Sequence, residues 1–214
     1  MERYKLPDIN ETPSCVILAA GEFPCGELTT TLLDRAECVI CCDSAAEDYC
    51  QRGREPMAIV GDMDSLPEQL QTRFAERLVV RTEQDVNDLW KALTYAIEQG
   101  FRDITVLGAF GRREDHSIGN IMLLAARLRE ARVRAVGEHG IFDFIDRPSL
   151  FESFAGEQVS LFTLDPSTEI TVCGLRYDPP QNRLKAMWQG VSNEAVGEEF
   201  EIHTHGTTIV YRLF

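Results

Sequence analysis

No apolar run in this sequence approaches the roughly 20 residues that a membrane-spanning helix requires, so no span is expected. The segment from Met1 to Asn10 is charged and holds no apolar stretch, which argues against a secretory leader. Positive charge is scarce: 21 Lys and Arg stand against 35 Asp and Glu, for a formal net charge of −14 at pH 7. A chain this acidic lacks the basic footprint of sequence-independent DNA or RNA binding. A second Cys-x-x-Cys pair is also missing, so Cys38 and Cys41 have no partners with which to complete a zinc site. What is present is ordinary: 44% hydrophobic and 26% charged residues across 214 positions. That balance excludes long-range disorder and suits one large or two modest cores.

The seven cysteines are Cys15, Cys25, Cys38, Cys41, Cys42, Cys50 and Cys173. An odd count without a leader points to free thiols in a reducing compartment, and a cytoplasmic location is expected. Cys38-Val39-Ile40-Cys41-Cys42 reads as a buried strand in which cysteine packs as a small hydrophobe.

Short apolar runs alternate with helical patterns through the first two-thirds of the chain. Strands are predicted over Cys15–Ala19, Cys38–Cys42, Met57–Val60, Leu78–Arg81, Ile104–Leu107 and Val133–Val136. They lack polar alternation, as strands buried on both faces do. Ser44 with Glu47, and Ser65 with Glu68, fit the capping-box spacing of a helix start. Gly53 and Gly100 stand where helices stop. From Asp88 to Gln99 the period puts Leu89, Leu93, Ala96 and Ile97 on one face, with Asp88, Lys91 and Tyr95 on the other. An apolar helix follows over Ile118–Leu128.

After about Gly137 the pattern becomes strands joined by turns: Phe142–Ile145, Gln158–Leu164, Ile170–Tyr177, Phe200–His205 and Thr208–Leu213. The expected architecture is α/β: a mostly parallel sheet domain over 1–137, then a small all-β sandwich-like or barrel domain over 138–214.

Ligands of open α/β sheets bind beyond the carboxyl ends of the strands. There the sequence places Asp43, then Asp62 and Asp64, then Asp85 and Asp88, then Arg112, Arg113, Asp115 and His116. Clustered carboxylates raise one another's pKa until a hard cation neutralises them, and oxygen ligands with few histidines suit Mg²⁺. Mg²⁺ is in turn the usual partner of nucleotide phosphates. Arg112 and Arg113 offer forked donors to phosphate oxygens. Lys91 also fits a plain helical ion pair with Asp88. Asn120 stands near the start of its apolar helix, where an amide needs a partner and a ligand is one candidate. His139, His203 and His205 read as structural, and packing is the expected role of Trp90 and Trp188.

Five segments, taken in order, resemble the thiamine pyrophosphokinase family: Gly21-Glu22-Phe23-Pro24, Cys42-Asp43-Ser44-Ala45-Ala46, Gly61-Asp62-Met63-Asp64-Ser65, Glu83-Gln84-Asp85-Val86-Asn87-Asp88, and Gly108 to Asn120. Gly190-Val191-Ser192-Asn193-Glu194 is similar to that family's second-domain motif. The resemblance implies transfer of pyrophosphate from ATP, as co-substrate, to the hydroxyl of thiamine, giving thiamine diphosphate and AMP. It also implies a homodimer with sites between subunits. By position it marks Asp43, Asp62, Asp64, Gln84, Asp88, Arg113 and Asp115 as functional. Asp62, Asp64 and Asp88 are the expected Mg²⁺ group, and Gln84, Ser192 and Asn193 the expected thiamine contacts. Asp43, Gln84, Lys91, Arg112, His116 and Asn120 are expected on the nucleotide side. Ser44 and Ala45 stand where the family often has glycines, and Arg112 replaces another. Two alternatives are a pyrophosphotransferase acting on a different hydroxylated heterocycle, and a thiamine or nucleotide sensor without turnover.

Overall fold

The computed structural model describes all residues from Met1 to Phe214. The chain forms two compact units. One holds Ile9–Leu123 and Arg129–Glu138; the other holds Met1–Asp8, Leu124–Leu128 and His139–Phe214. No helix is long and apolar enough to cross a membrane.

The first strand, β1 (Glu2–Tyr4), belongs to the β-rich unit. The α/β unit then runs β2 (Val16–Leu18), α1 (Glu27–Arg35), β3 (Val39–Cys42), α2 (Ala45–Gln51), β4 (Ala58–Gly61), α3 (Glu68–Arg73) and β5 (Leu78–Val80). It continues with α4 (Asp88–Glu98), β6 (Asp103–Leu107), α5 (Glu114–Ala126) and β7 (Arg132–Val136). Its strands lie in the order β7-β6-β2-β3-β4-β5, and every neighbouring pair is parallel. The parallel sheet was legible because β2, β3 and β4 are buried throughout and carry no polar alternation. The chain winds outward from β2 to β5, then returns to place β6 on the other side of β2. That reversal opens a crevice at the carboxyl ends of β2 and β6.

Helix boundaries follow local chemistry more than spacing. Asn87 caps α4, its side chain accepting the Trp90 N–H at 3.0 Å. Leu89, Ala92, Leu93 and Ala96 are buried along that helix. Lys91 is buried as well, contrary to the outward face expected for it. Gly53 and Gly100 end their helices with φ of 75° and 95°. Neither capping box forms. Ser44 is itself in helical geometry, and Ser65 donates instead to Asp64, with α3 starting only after Pro67.

The β-rich unit contains β1 with β8 (Gly140–Ile145), β9 (Ser149–Glu152), β10 (Gln158–Thr163), β11 (Ile170–Cys173), β12 (Asn193–Glu194), β13 (Glu199–Thr204) and β14 (Thr208–Leu213). One layer is ordered β1-β9-β13-β11, and the other β12-β10-β14-β8. Their shared core stacks Phe151 between Tyr4 and Phe200, at centroid distances of 4.8 and 4.9 Å. Ile170 and Ile202 extend it from the first layer, and Ile145, Val159, Leu161 and Val210 close it from the second. β10 and β13 alternate buried with more open positions, as strands with one face in a core do. The expectation missed β1, β9 and β12, which are two to four residues long and too polar to announce themselves. The strand expected over Ile170–Tyr177 stops at Cys173, because Gly174 turns the chain with φ of 84°.

Candidate functional site

β3 and β4 each deliver acids at their carboxyl ends. Asp43 follows β3 directly, and Asp62 follows β4. Asp43 sits in the left-handed region, with φ of 35°, and Met63 with φ of 69°. Non-glycine residues held there cost on the order of 1–3 kcal/mol, and such strain clusters at functional sites. The left-handed conformation falls on Asp43 itself, while Ser44 is ordinary helix. Gly61 makes the arrangement possible: a Cβ there would lie 2.8 Å from that of Asp43.

These turns bring carboxylate oxygens of Asp43, Asp62 and Asp64 within 4.8 Å of one another. Asp43 is buried, Asp62 half-buried and Asp64 exposed, so the cluster opens to one side. Asp43 accepts the Ser65 N–H on Oδ2 at 3.3 Å, while its buried Oδ1 has no protein partner. Burial pushes its carboxyl up to about 6; the charges of Asp88, Asp64 and Asp62 add to this, and the Ser65 N–H opposes it. Asp62 is held below the ordinary carboxylate range, chiefly by the Asp64 N–H and further by Gln84 and Lys91. Gln84 donates to Asp62 Oδ2 at 3.3 Å.

Lys91 supplies the resident positive charge. Its Nζ lies 3.0 Å from Asp88 Oδ1 and 3.9 Å from Asp62 Oδ2. A buried ammonium at that position offsets part of the carboxylate repulsion. Its helical pairing with Asp88 was expected; its reach to Asp62 was not, because the pattern placed it outward.

Beside the carboxylates lies a cavity of about 230 Å³ at the crevice between β2 and β6. The loop after β2 and the loop after β6 are laced together there. Ala19 N–H donates to Leu107 O at 2.8 Å, Gly21 N–H to Gly108 O at 2.8 Å, and Glu22 N–H to Phe110 O at 2.7 Å. The approach is so close that a Cβ on Gly21 would meet both Gly108 O and Phe110 O at 2.4 Å. Asp88, Arg112, Arg113, His116 and Asn120 line the cavity, and so does Phe110. Phe110 was not singled out in the sequence; the only available signal was an aromatic inside a glycine-bounded loop.

Asn120, Arg112 and Arg113 on the cavity wall are already engaged with protein. Asn120 donates to Ala109 O at 2.8 Å and accepts from Asn87 at 3.0 Å, so its amide is satisfied without a ligand. It braces the loop after β6 against the cap of α4. Arg112 pairs with Asp48 at 3.1 Å. Arg113 forms a two-pronged pair with Asp115, with Nε to Oδ1 at 3.0 Å and Nη2 to Oδ2 at 2.5 Å. That fork pulls Asp115 down to about 2. Asp85 is exposed.

Ser192 and Asn193 lie in the β-rich unit, on a second cavity of about 260 Å³ also lined by Tyr177, Asp178 and Gln189. Asn193 is buried and ties the rim: it donates to Tyr177 O at 2.7 Å and accepts the N–H groups of Tyr177 and Glu194. Ser192 has φ of 62° and donates its N–H to Ser160 Oγ at 3.2 Å. Trp188, expected to pack, is instead 74% exposed, on a short helical turn that leaves it outside the core. Trp90 is half-buried.

Two family models match most of the chain. One, described as the thiamin pyrophosphokinase catalytic domain, matches residues 29–135. The other, described as the thiamin pyrophosphokinase substrate-binding domain, matches residues 140–211. A thiamine pyrophosphokinase from Bacillus subtilis is 38% identical over 164 residues, covering 71% of this chain and 72% of that protein. A rice protein named thiamine pyrophosphokinase 1 is 27% identical over 178 residues, covering 69% of this chain and 67% of its own length. Among solved structures, the fold is similar to thiamin pyrophosphokinase from Candida albicans, with a TM-score of 0.82, 16% identity, and coverage of 100% and 93% of the two chains.

Proposed function

The chain belongs to the thiamine pyrophosphokinase family, and from that premise we propose that it transfers the pyrophosphoryl group of ATP to the hydroxyl of thiamine, at the carboxylate edge of its α/β unit. The products are thiamine diphosphate and AMP. The observation that carries the site assignment is the convergence of Asp43, Asp62 and Asp64 beside a cavity at the sheet's reversal point.

The donor set suits a hard divalent cation: three carboxylates, no sulfur or imidazole, and one buried oxygen on Asp43 without a protein partner. Asp43, Asp62 and Asp64 would hold Mg²⁺; Asp43 takes the place expected for Asp88, which pairs with Lys91 at 3.0 Å and flanks the group. When bound, the ion would neutralise charge on the polyphosphate.

The chain's own residues do the rest. Pyrophosphoryl transfer, like phosphoryl transfer, needs mainly positioning and charge stabilisation. The laced loops after β2 and β6 give the nucleotide a rigid cradle. Arg112 and Arg113 stand on its wall and exchange Asp48 and Asp115 for phosphate oxygens. Gln84 and Lys91 hold Asp62 and Asp88 in place. His116 completes the nucleotide side, and Asn120 serves it by bracing the loop after β6. Thiamine binds against the cavity at Ser192 and Asn193, where Asp178 offers a negative charge to its cationic ring.

We assign the protein to the cytoplasm as a homodimer. The free state of all seven cysteines supports the first. Exposed Tyr177, Met187, Trp188 and Val191 around the second cavity support the second, since aromatic and Met side chains are enriched at interfaces.

The test is incubation of the purified protein with ATP, Mg²⁺ and thiamine, with detection of AMP and thiamine diphosphate. Both products form with the native chain. An Asp62→Ala, Asp64→Ala double variant loses at least about a hundredfold in kcat, the scale of removing one charged stabilising group. Full activity of that variant overturns the site assignment.

A further inference from the structure

The cysteines are not absorbed by the function proposed above. Cys38 and Cys41 are three residues apart on a strand of period two, so their side chains leave opposite faces. The sulfur contacts of Cys38 run elsewhere. Its Sγ lies 3.3 Å from the Met57 sulfur, and its thiol shares a hydrogen bond with Cys15.

The three residues come together because of the sheet. Cys15, Cys38 and Met57 each immediately precede a strand, β2, β3 and β4 respectively, and those strands are consecutive parallel neighbours. Backbone bonds set the register at this edge: Val16 N–H donates to Cys38 O at 2.8 Å, and Met57 N–H to Val39 O at 2.8 Å. That register sets Cys15 beside Cys38, while Met57 stands beside Val39 and its side chain reaches back to the Cys38 sulfur at 3.3 Å. The edge is the amino-terminal one, a full strand length from the carboxylates that follow β3 and β4.

We infer that Cys15, Cys38 and Met57 form a binding site for a soft monovalent cation of the Cu(I) class. Two thiolates and a thioether are a soft donor set, and the contacts described contain no carboxylate or imidazole that would favour Mg²⁺ or a histidine-rich zinc site. The thioether decides between a metal site and a disulfide, because Met57 has no part in a disulfide and yet is in direct contact with Cys38. Access favours the same choice. Cys15 is fully buried and closed to a bulky disulfide oxidant, whereas Met57 is 40% exposed and gives a bare ion an entry. The pair also divides its protons unequally. The shared hydrogen bond holds the Cys38 thiol low, and that bond together with burial drives Cys15 up. Cys38 therefore loses its proton first, Cys15 follows when the metal takes its place, and binding releases the thiol protons.

The probe is Cu(I), offered anaerobically as its bicinchoninate complex to the reduced full-length chain. The exposed thiols are first removed by Cys25→Ser and Cys173→Ser. One Cu(I) per chain is withdrawn from the chelator, and X-ray absorption shows a sulfur-only shell. Cys38→Ser abolishes uptake, and Met57→Leu, which conserves volume, weakens it by about tenfold or more. Cys50→Ser, a buried thiol elsewhere in the same unit, leaves it unchanged. The inference falls if uptake survives Cys38→Ser, if Met57→Leu binds as tightly as its parent, or if the reduced parent takes up none. A Cys15–Cys38 disulfide on mild oxidation, with no Cu(I) uptake by the reduced chain, overturns it in favour of a redox pair.

Discussion

Glu157 offers a direct test of the physical reasoning, because it is a buried acid that the proposed chemistry does not use. It is 1% exposed, and neither carboxylate oxygen has a protein hydrogen-bond partner. The charged groups acting on it are Arg212 and Asp143, which pair with each other at 2.7 Å while Arg212 also donates to Glu152 O and Lys5 O. Arg212 is thus largely committed elsewhere. Burial pushes the Glu157 carboxyl from 4.5 up to about 7, with Asp143 adding to the rise and Arg212 opposing it. Between those two values the folded chain keeps a proton that the unfolded chain has released. Stability is therefore full below about pH 4.5 and declines as pH rises through about 7. At roughly 1.4 kcal/mol per pH unit the full decline is about 3 kcal/mol, and relaxation with water entry reduces it to about 2 kcal/mol. Glu157→Gln keeps the shape and removes the titration. Urea denaturation of both proteins, followed by circular dichroism from pH 5 to pH 8.5, measures the difference. The variant gains on the native chain by about 2 kcal/mol across that range. A stability difference that stays flat with pH refutes a buried, proton-holding Glu157.

Three further outcomes follow from the α/β unit. Chelation of Mg²⁺ should abolish ATP binding in calorimetry, because the carboxylates then face the phosphates without a cation between them; undiminished binding would refute the metal assignment. Gly21→Ala should cost about 1–3 kcal/mol in thermal unfolding and raise the KM for ATP, since its Cβ meets two carbonyl oxygens at 2.4 Å; a silent substitution would show that the two loops are not locked. Lys91→Met should destabilise the chain by about 1–3 kcal/mol at pH 7, because it leaves the Asp62 and Asp88 carboxylates without their resident positive charge; unchanged stability would show that Lys91 does not offset their repulsion.

The sequence by itself determined what depends on neighbouring residues along the chain. Unbroken apolar runs such as Val39–Cys42 specify strands buried on both faces, and their alternation with helices specifies a parallel sheet. Gly53 and Gly100 mark helix ends because a left-handed residue suits glycine. The rule that loops at the carboxyl edge carry the chemistry already pointed to Asp43, Asp62, Asp64 and Asp88. Tertiary structure decided what depends on which strands become neighbours. The placement of β6 beside β2 sets the cavity between loops nearly 90 residues apart in sequence, a pairing no local pattern encodes. The left-handed turn at Asp43, the bare Gly61 beneath it and the burial of Lys91 all follow from how β3, β4 and α4 pack. So does the role of Asn120, whose amide is spent on Ala109 and Asn87. A side chain's chemistry is written in the sequence, but its partners are set by packing. That is why the residue types of the candidate site could be proposed in advance, while their pairings and protonation could not.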